Sequence, residues 1–308
     1  MSQLRTPLFR ELRIPAAIEQ ALRQGASIAI NHSGGKDSQA MEAVLCAWLA
    51  SQGLLHRAFS IHCDLGRAEW VYSLPQCRRT SAAQGIPLVE VRPPNGDLLD
   101  YLERKAAAVA GTGTPFWPSK RHRWCTSLKR AACDKHFRRY PLIISAEGMR
   151  AEESRDRANK QPLALRTQIT AKALQSGSID EALAQRSGTQ RVALTWLPIH
   201  DWTEADVWHA CGTSLDELSH RRELWRAGDH HRAVDGWPAH RVYVMGNHRA
   251  SCAICLLADQ NDLRNGVRYH PELASAYLQL EATTGCTFRH GRSLASLSAS
   301  VPVAGGHS

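Results

Sequence analysis

Short apolar runs alternate with stretches whose apolar positions recur at helical spacing. Ser27-Ile28-Ala29-Ile30, Ala58-Phe59-Ser60-Ile61-His62, Pro87-Leu88-Val89-Glu90-Val91 and Leu142-Ile143-Ile144-Ser145 read as four strands. Between them, helical patterns run through Gln39-Ala40-Met41-Glu42-Ala43-Val44-Leu45, from Glu69 onward, and from about Asp97 to Ala110. Strands separated by helices imply parallel pairing through right-handed crossovers, and so an α/β fold with an open, doubly wound parallel sheet. Ligands of such sheets sit beyond the carboxyl ends of the strands. Three polar segments fall at such ends: the turn after Ile30, the turn at Asp64 and the segment after Ser145.

Further along, Gly111-Thr112-Gly113-Thr114-Pro115 reads as a loop. Much of the polar stretch from Gln161 to Arg191 reads the same way, as a mobile insertion holding one helix from Ser178 to Arg186. Thr203, followed at the third helical position by Asp206, has the form of a capping box opening a helix. The pattern divides the chain into a nucleotide-binding domain over 1–240 and a smaller helical, cysteine-bearing region over 241–308, whose last dozen residues are expected to be disordered.

Composition narrows the class. At 308 residues, with 43% hydrophobic and 22% charged residues, the chain can bury a full α/β core. No run approaches the roughly 18 apolar residues that span a bilayer. Met1 to Arg10 has no apolar signal-peptide core, so a cytoplasmic location without membrane contact is expected. Nine cysteines in such a chain point to reduced thiols, metal ligands or catalysis rather than a disulfide framework. The formal charge of +9 favours anionic ligands without establishing nucleic-acid binding. Much of it is concentrated between Lys120 and Arg139, where eight basic residues face only Asp134; a solvated helix face and a phosphate-binding surface are both compatible with it.

The candidate chemistry begins at Ser33-Gly34-Gly35-Lys36-Asp37-Ser38. A strand, a glycine turn and a helix start bring backbone N–H groups and a helix dipole to one point, suited to a pyrophosphate group. The glycines allow close backbone approach, the serines add hydroxyls and Lys36 a positive charge. The spacing is not that of a Walker A loop. His62-Cys63-Asp64-Leu65-Gly66 ends the second strand; beside a triphosphate, Asp64 would hold Mg²⁺ or position a reacting group, and otherwise it is a helix-entry cap. Gly148-Met149-Arg150-Ala151-Glu152-Glu153-Ser154-Arg155-Asp156-Arg157 offers guanidinium forks for phosphate or sulfate oxygens. Cys125 stands in the basic, aromatic segment Arg123-Trp124-Cys125-Thr126, and Cys252-Ala253-Ile254-Cys255 is a CxxC pair.

Ser33 to Ser38 resembles the PP-loop of ATP pyrophosphatases and of the phosphoadenylylsulfate (PAPS) reductase family. Gly148, Arg150, Glu153, Ser154 and Arg157 match a further segment of that family at fixed spacing, and Leu197 to Thr203 resembles a third. The resemblance implies an adenine nucleotide, ATP or PAPS/APS, bound with Mg²⁺ by Ser33, Gly34, Gly35, Lys36, Asp37, Ser38, Gly148, Arg150, Glu153 and Arg157, with Lys36, Asp37 and Asp64 in catalytic roles. It also makes Cys125, Cys252 and Cys255 candidate ligands of a [4Fe–4S] cluster, although Thr126 stands where many relatives carry a second cysteine. Zinc held by three Cys and His248, or unligated thiols, are the alternatives. The function implied is ATP-dependent adenylylation with pyrophosphate release, coupled to sulfur transfer from a donor protein onto an acceptor such as tRNA or DNA. A sulfonucleotide reductase forming sulfite is the second reading, although no cysteine follows Gly291 to act as its nucleophile. A non-catalytic nucleotide- or Fe–S-dependent nucleic-acid-binding protein is the third.

Overall fold

The computed structural model describes residues 10–298. The residues tested for a signal peptide, up to Phe9, and all but the first two residues of the tail expected to be disordered lie outside them; those two end the helix Leu294–Ser298. Six strands, β1 (Ser27–Asn31), β2 (Ala58–Cys63), β3 (Leu88–Val91), β4 (Leu142–Glu147), β5 (Leu163–Leu165) and β6 (Val192–Trp196), form one sheet in the order β3-β2-β1-β4-β6-β5. All neighbours pair in parallel except β5, which runs antiparallel to β6 at the edge. The α/β sheet expected from the alternating pattern is therefore present, with one reversed edge strand.

The central strands are nearly continuous apolar runs because helices cover both faces; every residue of β2 is buried, and all but the last of β4. The order reverses between β1 and β4, the switch point at which such sheets open a crevice. Asn31 ties the two strand ends together there, donating to Ser145 Oγ at 2.9 Å and to the Ala146 carbonyl at 2.8 Å.

Several local signals act as the sequence implies. Asp97 and Asp100 form a capping box at the helix Leu98–Val109, Ser178 and Glu181 do so at Ile179–Gln185, and Thr203 and Asp206 at Glu204–Ala210. The helix expected from Glu69 instead starts at Ser73. Gly66, at φ +62°, turns the chain into a single 3₁₀ turn, Gly66–Ala68, and Trp70 is buried before the α-helix can begin. The stretch from Gln161 to Arg191 is not wholly loop: it contains β5 and leads directly into β6. The residues after 241 pack into the same hydrophobic cluster as the sheet; Tyr243, Ile254, Leu263 and Tyr277 are buried in it. Among the described residues no helix is long and apolar enough to cross a membrane.

Candidate functional site

The segment Ser33–Ser38 leaves β1 and enters the helix Lys36–Ser51 at the switch point. Gly34 has φ +80°, and a Cβ there would lie 3.0 Å from the Ser73 carbonyl, so both conformation and space call for glycine. From the other side, a Cβ on Gly148 would fall 2.9 Å from the Asp37 carbonyl and 3.0 Å from the Ser38 nitrogen. The chain leaving β4 thus lies directly against the loop. A cavity of about 400 Å³ opens here, lined by Ser33, Gly35, Asp37 and Ser38 from the loop, Gly148, Glu153 and Arg157 from the segment after β4, and Thr126, Lys129 and Arg130 from the helix Trp124–Phe137.

Arg150 is buried and reaches back to the loop, its Nε 2.6 Å from Asp37 Oδ1, while Lys36 Nζ stands 3.2 Å from Asp37 Oδ2. Burial alone would raise the Asp37 pKa, but these two cations outweigh it and hold the carboxyl below its usual range. Lys36 does not line the loop cavity. Its ammonium lies over the rings of Trp208 and Tyr243, 3.7 Å from Glu204, in an adjoining cavity of about 300 Å³. Glu153 accepts the Arg150 N–H at 3.1 Å, pairs with Arg157, and lies 3.4 Å from Arg249.

The loop's N–H groups are less open than its pattern implies. Ser33 donates to Ser38 Oγ, Gly34 to His32 Nδ1 and Lys36 to the Tyr243 hydroxyl. Asp64 is not brought to this cavity. It caps Gly66 N–H at 2.7 Å, pairs with Arg92 at 2.6 Å, and lines a separate cavity with Arg67 and Trp70. The carboxylates at the loop cavity, besides Asp37, are Glu147 and Glu153.

The three candidate ligand thiols act on one another electrostatically, but their sulfurs do not all lie within 4.8 Å of one another. Cys125 lies in the first turn of the helix whose next turn supplies Lys129 and Arg130, and Cys252 and Cys255 come from the loop before the helix Gln260–Tyr269. Burial pushes the Cys252 thiol up to about 12, and Cys255, Glu69 and Cys125 add to the rise while Lys129 opposes it. Burial and Cys255 likewise raise Cys125. Thiols raised in this way stay protonated unless a positive charge takes up the thiolates. His248 is turned elsewhere, 2.7 Å from Asp259, and Asp262 beside it accepts the N–H groups of His248 and Arg249. That His–Asp–Asp cluster is accounted for by turn and helix-cap hydrogen bonds. Cys286 is 3.4 Å from the Thr114 carbonyl, in a cavity of about 920 Å³ that shares Arg249 with the loop cavity.

Beneath the loop lies a group that no motif signals. The buried Cys77 sulfur stands 3.3 Å from His32 Nδ1 and 3.5 Å from His62 Nδ1. His62 Nδ1 faces the His32 carbonyl at 2.9 Å and its Nε2 faces Glu69 at 3.1 Å. Carbonyl and carboxylate both accept, so both ring nitrogens carry protons. Burial would lower the His62 pKa, but Cys77 and Glu69 bring it up to about 10. Glu69 also meets Lys129 at 3.2 Å, which joins this buried chain to the thiols. Arg166, from the insertion, is buried between Asp134 at 2.6 Å and Glu147 at 2.9 Å and completes the cavity wall. The proximity of His32 and His62 to strand ends is the only trace of this layer in the sequence.

Residues 90–214 match the family model of the phosphoadenosine phosphosulfate reductase domain. The match bears out the family resemblance over that stretch, which holds the Arg123–Lys129 and Gly148–Arg157 segments but neither the Ser33–Ser38 loop nor the CxxC pair. No curated protein sequence matches the chain. Among solved structures, the U34-tRNA thiolase NcsA from Methanococcus maripaludis with its [4Fe–4S] cluster is similar at 12% identity and a TM-score of 0.41, covering 94% of this chain and 82% of its own. The NH3-dependent NAD synthetase from Campylobacter jejuni in complex with nitrate is similar at 13% identity and a TM-score of 0.31, covering 69% and 81%. Neither likeness is close enough to carry an argument about chemistry.

Proposed function

We propose that the chain binds the phosphates of ATP at the Ser33–Ser38 loop, transfers AMP to an acceptor oxygen with release of pyrophosphate, and exchanges the adenylate for sulfur at a centre held by Cys125, Cys252 and Cys255. The observation that carries this reading is the helix Trp124–Phe137. Cys125 stands in its first turn, and its Thr126, Lys129 and Arg130 wall the loop cavity. The sulfur-bearing and phosphate-facing groups therefore share one rigid element.

In the adenylylation step the acceptor oxygen attacks the α-phosphorus and the bond to the pyrophosphate oxygen breaks. Arg130, Arg157 and Lys129 are placed to stabilise charge developing on the phosphates. Glu147 and Glu153 are the carboxylates that would hold a magnesium ion, whose charge would assist the leaving group. Asp37, locked by Arg150 and Lys36, keeps the loop in register rather than acting as a base. In the second step a sulfide-level donor attacks the activated carbon and AMP leaves, with no net redox change. Cys125, Cys252 and Cys255 would hold a [4Fe–4S] cluster through three thiolates, and the cluster would supply an iron without a cysteine ligand for sulfur chemistry.

The acceptor we infer is a nucleic acid. Arg121, Arg123 and Arg130 are exposed, form no ion pair with a carboxylate among the described residues, and belong to the segment that borders the cavity. The test is anaerobic release of AMP and pyrophosphate from ATP by cluster-reconstituted protein, with tRNA and DNA as acceptors. Formation of both products, dependent on the acceptor, is expected; their absence with every acceptor overturns the reading.

A further inference from the structure

Tyr243 is 1% exposed and belongs to the short helix Arg241–Val244, far along the chain from the loop it touches. Its hydroxyl oxygen lies 2.9 Å from the Lys36 nitrogen, and the Ala250 amide also acts on it. A Cβ on Gly35 would stand 3.3 Å from the same oxygen. An N–H can only donate, so the phenol oxygen accepts here and its own proton remains to be placed. No carboxylate, carbonyl or hydroxyl among the described residues takes that proton, yet Tyr243 lines the loop cavity with Ser33, Gly35 and Ser38. A buried donor with no acceptor is costly unless a ligand supplies one.

The residue the motif offers for this task is engaged elsewhere. Lys36 points behind the loop to Asp37 and Glu204, its ammonium 5.6 Å from the centre of the Tyr243 ring. We propose that Tyr243 is a ligand-binding residue of the loop site, donating its O–H to a phosphate oxygen of the bound nucleotide or of pyrophosphate. The helix Arg241–Val244 then completes the phosphate cradle, and the region after residue 240 is part of the nucleotide site. Burial pushes the phenol up to about 12, so the proton is retained at neutral pH. The inference rests on the reading that the loop holds nucleotide phosphates.

The experiment is calorimetric binding of inorganic pyrophosphate, ATP and AMP to the full-length wild type and to Tyr243→Phe. Loss of one hydrogen bond to a charged oxygen is expected to weaken pyrophosphate and ATP about tenfold, and AMP less. Failure of the wild type to bind either polyphosphate would refute the loop reading itself. Equal affinity in wild type and variant would refute the Tyr243 proposal alone, and tighter binding by the variant would show that the ring obstructs the phosphate position. Because phenylalanine also removes the acceptor for Lys36 N–H, a second protein carries 2,3,5-trifluorotyrosine at position 243, which keeps the oxygen but ionises more readily. Its pyrophosphate affinity should fall as pH rises through the fluorophenol titration while the wild type stays level; a flat profile overturns the proposal even if the phenylalanine variant does not fold.

Discussion

Arg150 Nε lies 2.6 Å from Asp37 Oδ1, so the strand that ends at Glu147 is linked by a charged hydrogen bond to the helix that begins at Lys36. Both side chains are largely buried, and removing one partner strands the charge of the other, which typically costs roughly 3–5 kcal/mol. Arg150→Met is therefore expected to destabilise the protein by about 3 kcal/mol, part of the full penalty being relieved because Lys36 still faces Asp37. Combining it with Asp37→Asn should recover part of that loss. Denaturant unfolding of the two single variants and the double variant measures the coupling; strictly additive losses would mean that the pair does not hold the loop.

Gly148 tests the loop by shape rather than charge. A methyl group there meets the Asp37 carbonyl at 2.9 Å, a backbone atom that can yield only by moving the loop. Gly148→Ala should cost about 1–3 kcal/mol of stability and weaken ATP binding at least about tenfold. Stability and affinity are read separately, by thermal unfolding and calorimetry. An unchanged ATP affinity would mean that the loop does not hold the nucleotide.

How far the sequence alone reaches is visible in these residues. The apolar runs of β1, β2 and β4 are legible because a strand covered on both faces is apolar nearly throughout, and β3, half-buried with Glu90 exposed, is legible from its alternation and its valines. Arg150 and Gly148 were legible as a motif, though not as the pair of contacts that fixes Asp37. β5 was hidden because three residues at a sheet edge carry almost no periodic signal, and β6 because it follows a polar stretch read as loop. Asp64 shows the opposite failure: a carboxylate at a strand end fits a catalytic pattern, but the turn after it spends the side chain on Gly66 and Arg92. Tyr243, Arg166 and the Cys77 group come from distant parts of the chain, and only the folded topology places them at the loop.

The buried carboxylate Glu69 gives a pH prediction. It faces His62 at 3.1 Å and Lys129 at 3.2 Å. Burial raises its pKa, but Lys129 and His62 overcome this and bring it to about 2, from 4.5. A group whose folded pKa is depressed stabilises the fold above its unfolded pKa, and that stabilisation is lost as pH falls through the folded value. The wild type should therefore exceed Glu69→Gln in stability by about 3 kcal/mol at neutral pH. The gap should shrink progressively between pH 4.5 and about 2. Thermal unfolding of both proteins across that range decides it; a gap independent of pH would assign the loss to packing instead of charge.

The basic segment predicts a salt dependence. Arg121, Arg123 and Arg130 are exposed and not neutralised by a carboxylate among the described residues, so phosphates of a nucleic acid can meet them. Each phosphate contact contributes about 0.9 to the slope of log affinity against log salt for duplex DNA, and about 0.7 for single strands. Replacing Arg121 and Arg123 with glutamine should weaken tRNA or DNA binding and lower that slope by about 1 to 2. Binding that is tight yet unaffected by these changes would place the nucleic acid on another face.

The thiols give the last prediction. Cys125, Cys252 and Cys255 act on one another electrostatically, and Tyr277, buried beside them, feels all three. If these residues hold an iron–sulfur cluster, anaerobically prepared protein is brown and contains iron and acid-labile sulfide in equal amounts. Cys252→Ala should then lose the visible absorption, because its thiol is the one that burial and both neighbouring thiols act on together. Cys286→Ala should keep it, since that sulfur lies apart in the cavity beside Thr114. Loss of colour in Cys286→Ala would add it as a ligand. Colourless wild-type protein with stoichiometric zinc would replace the cluster, and because His248 is held by Asp259, the zinc would have to draw its fourth ligand from elsewhere or turn that imidazole first.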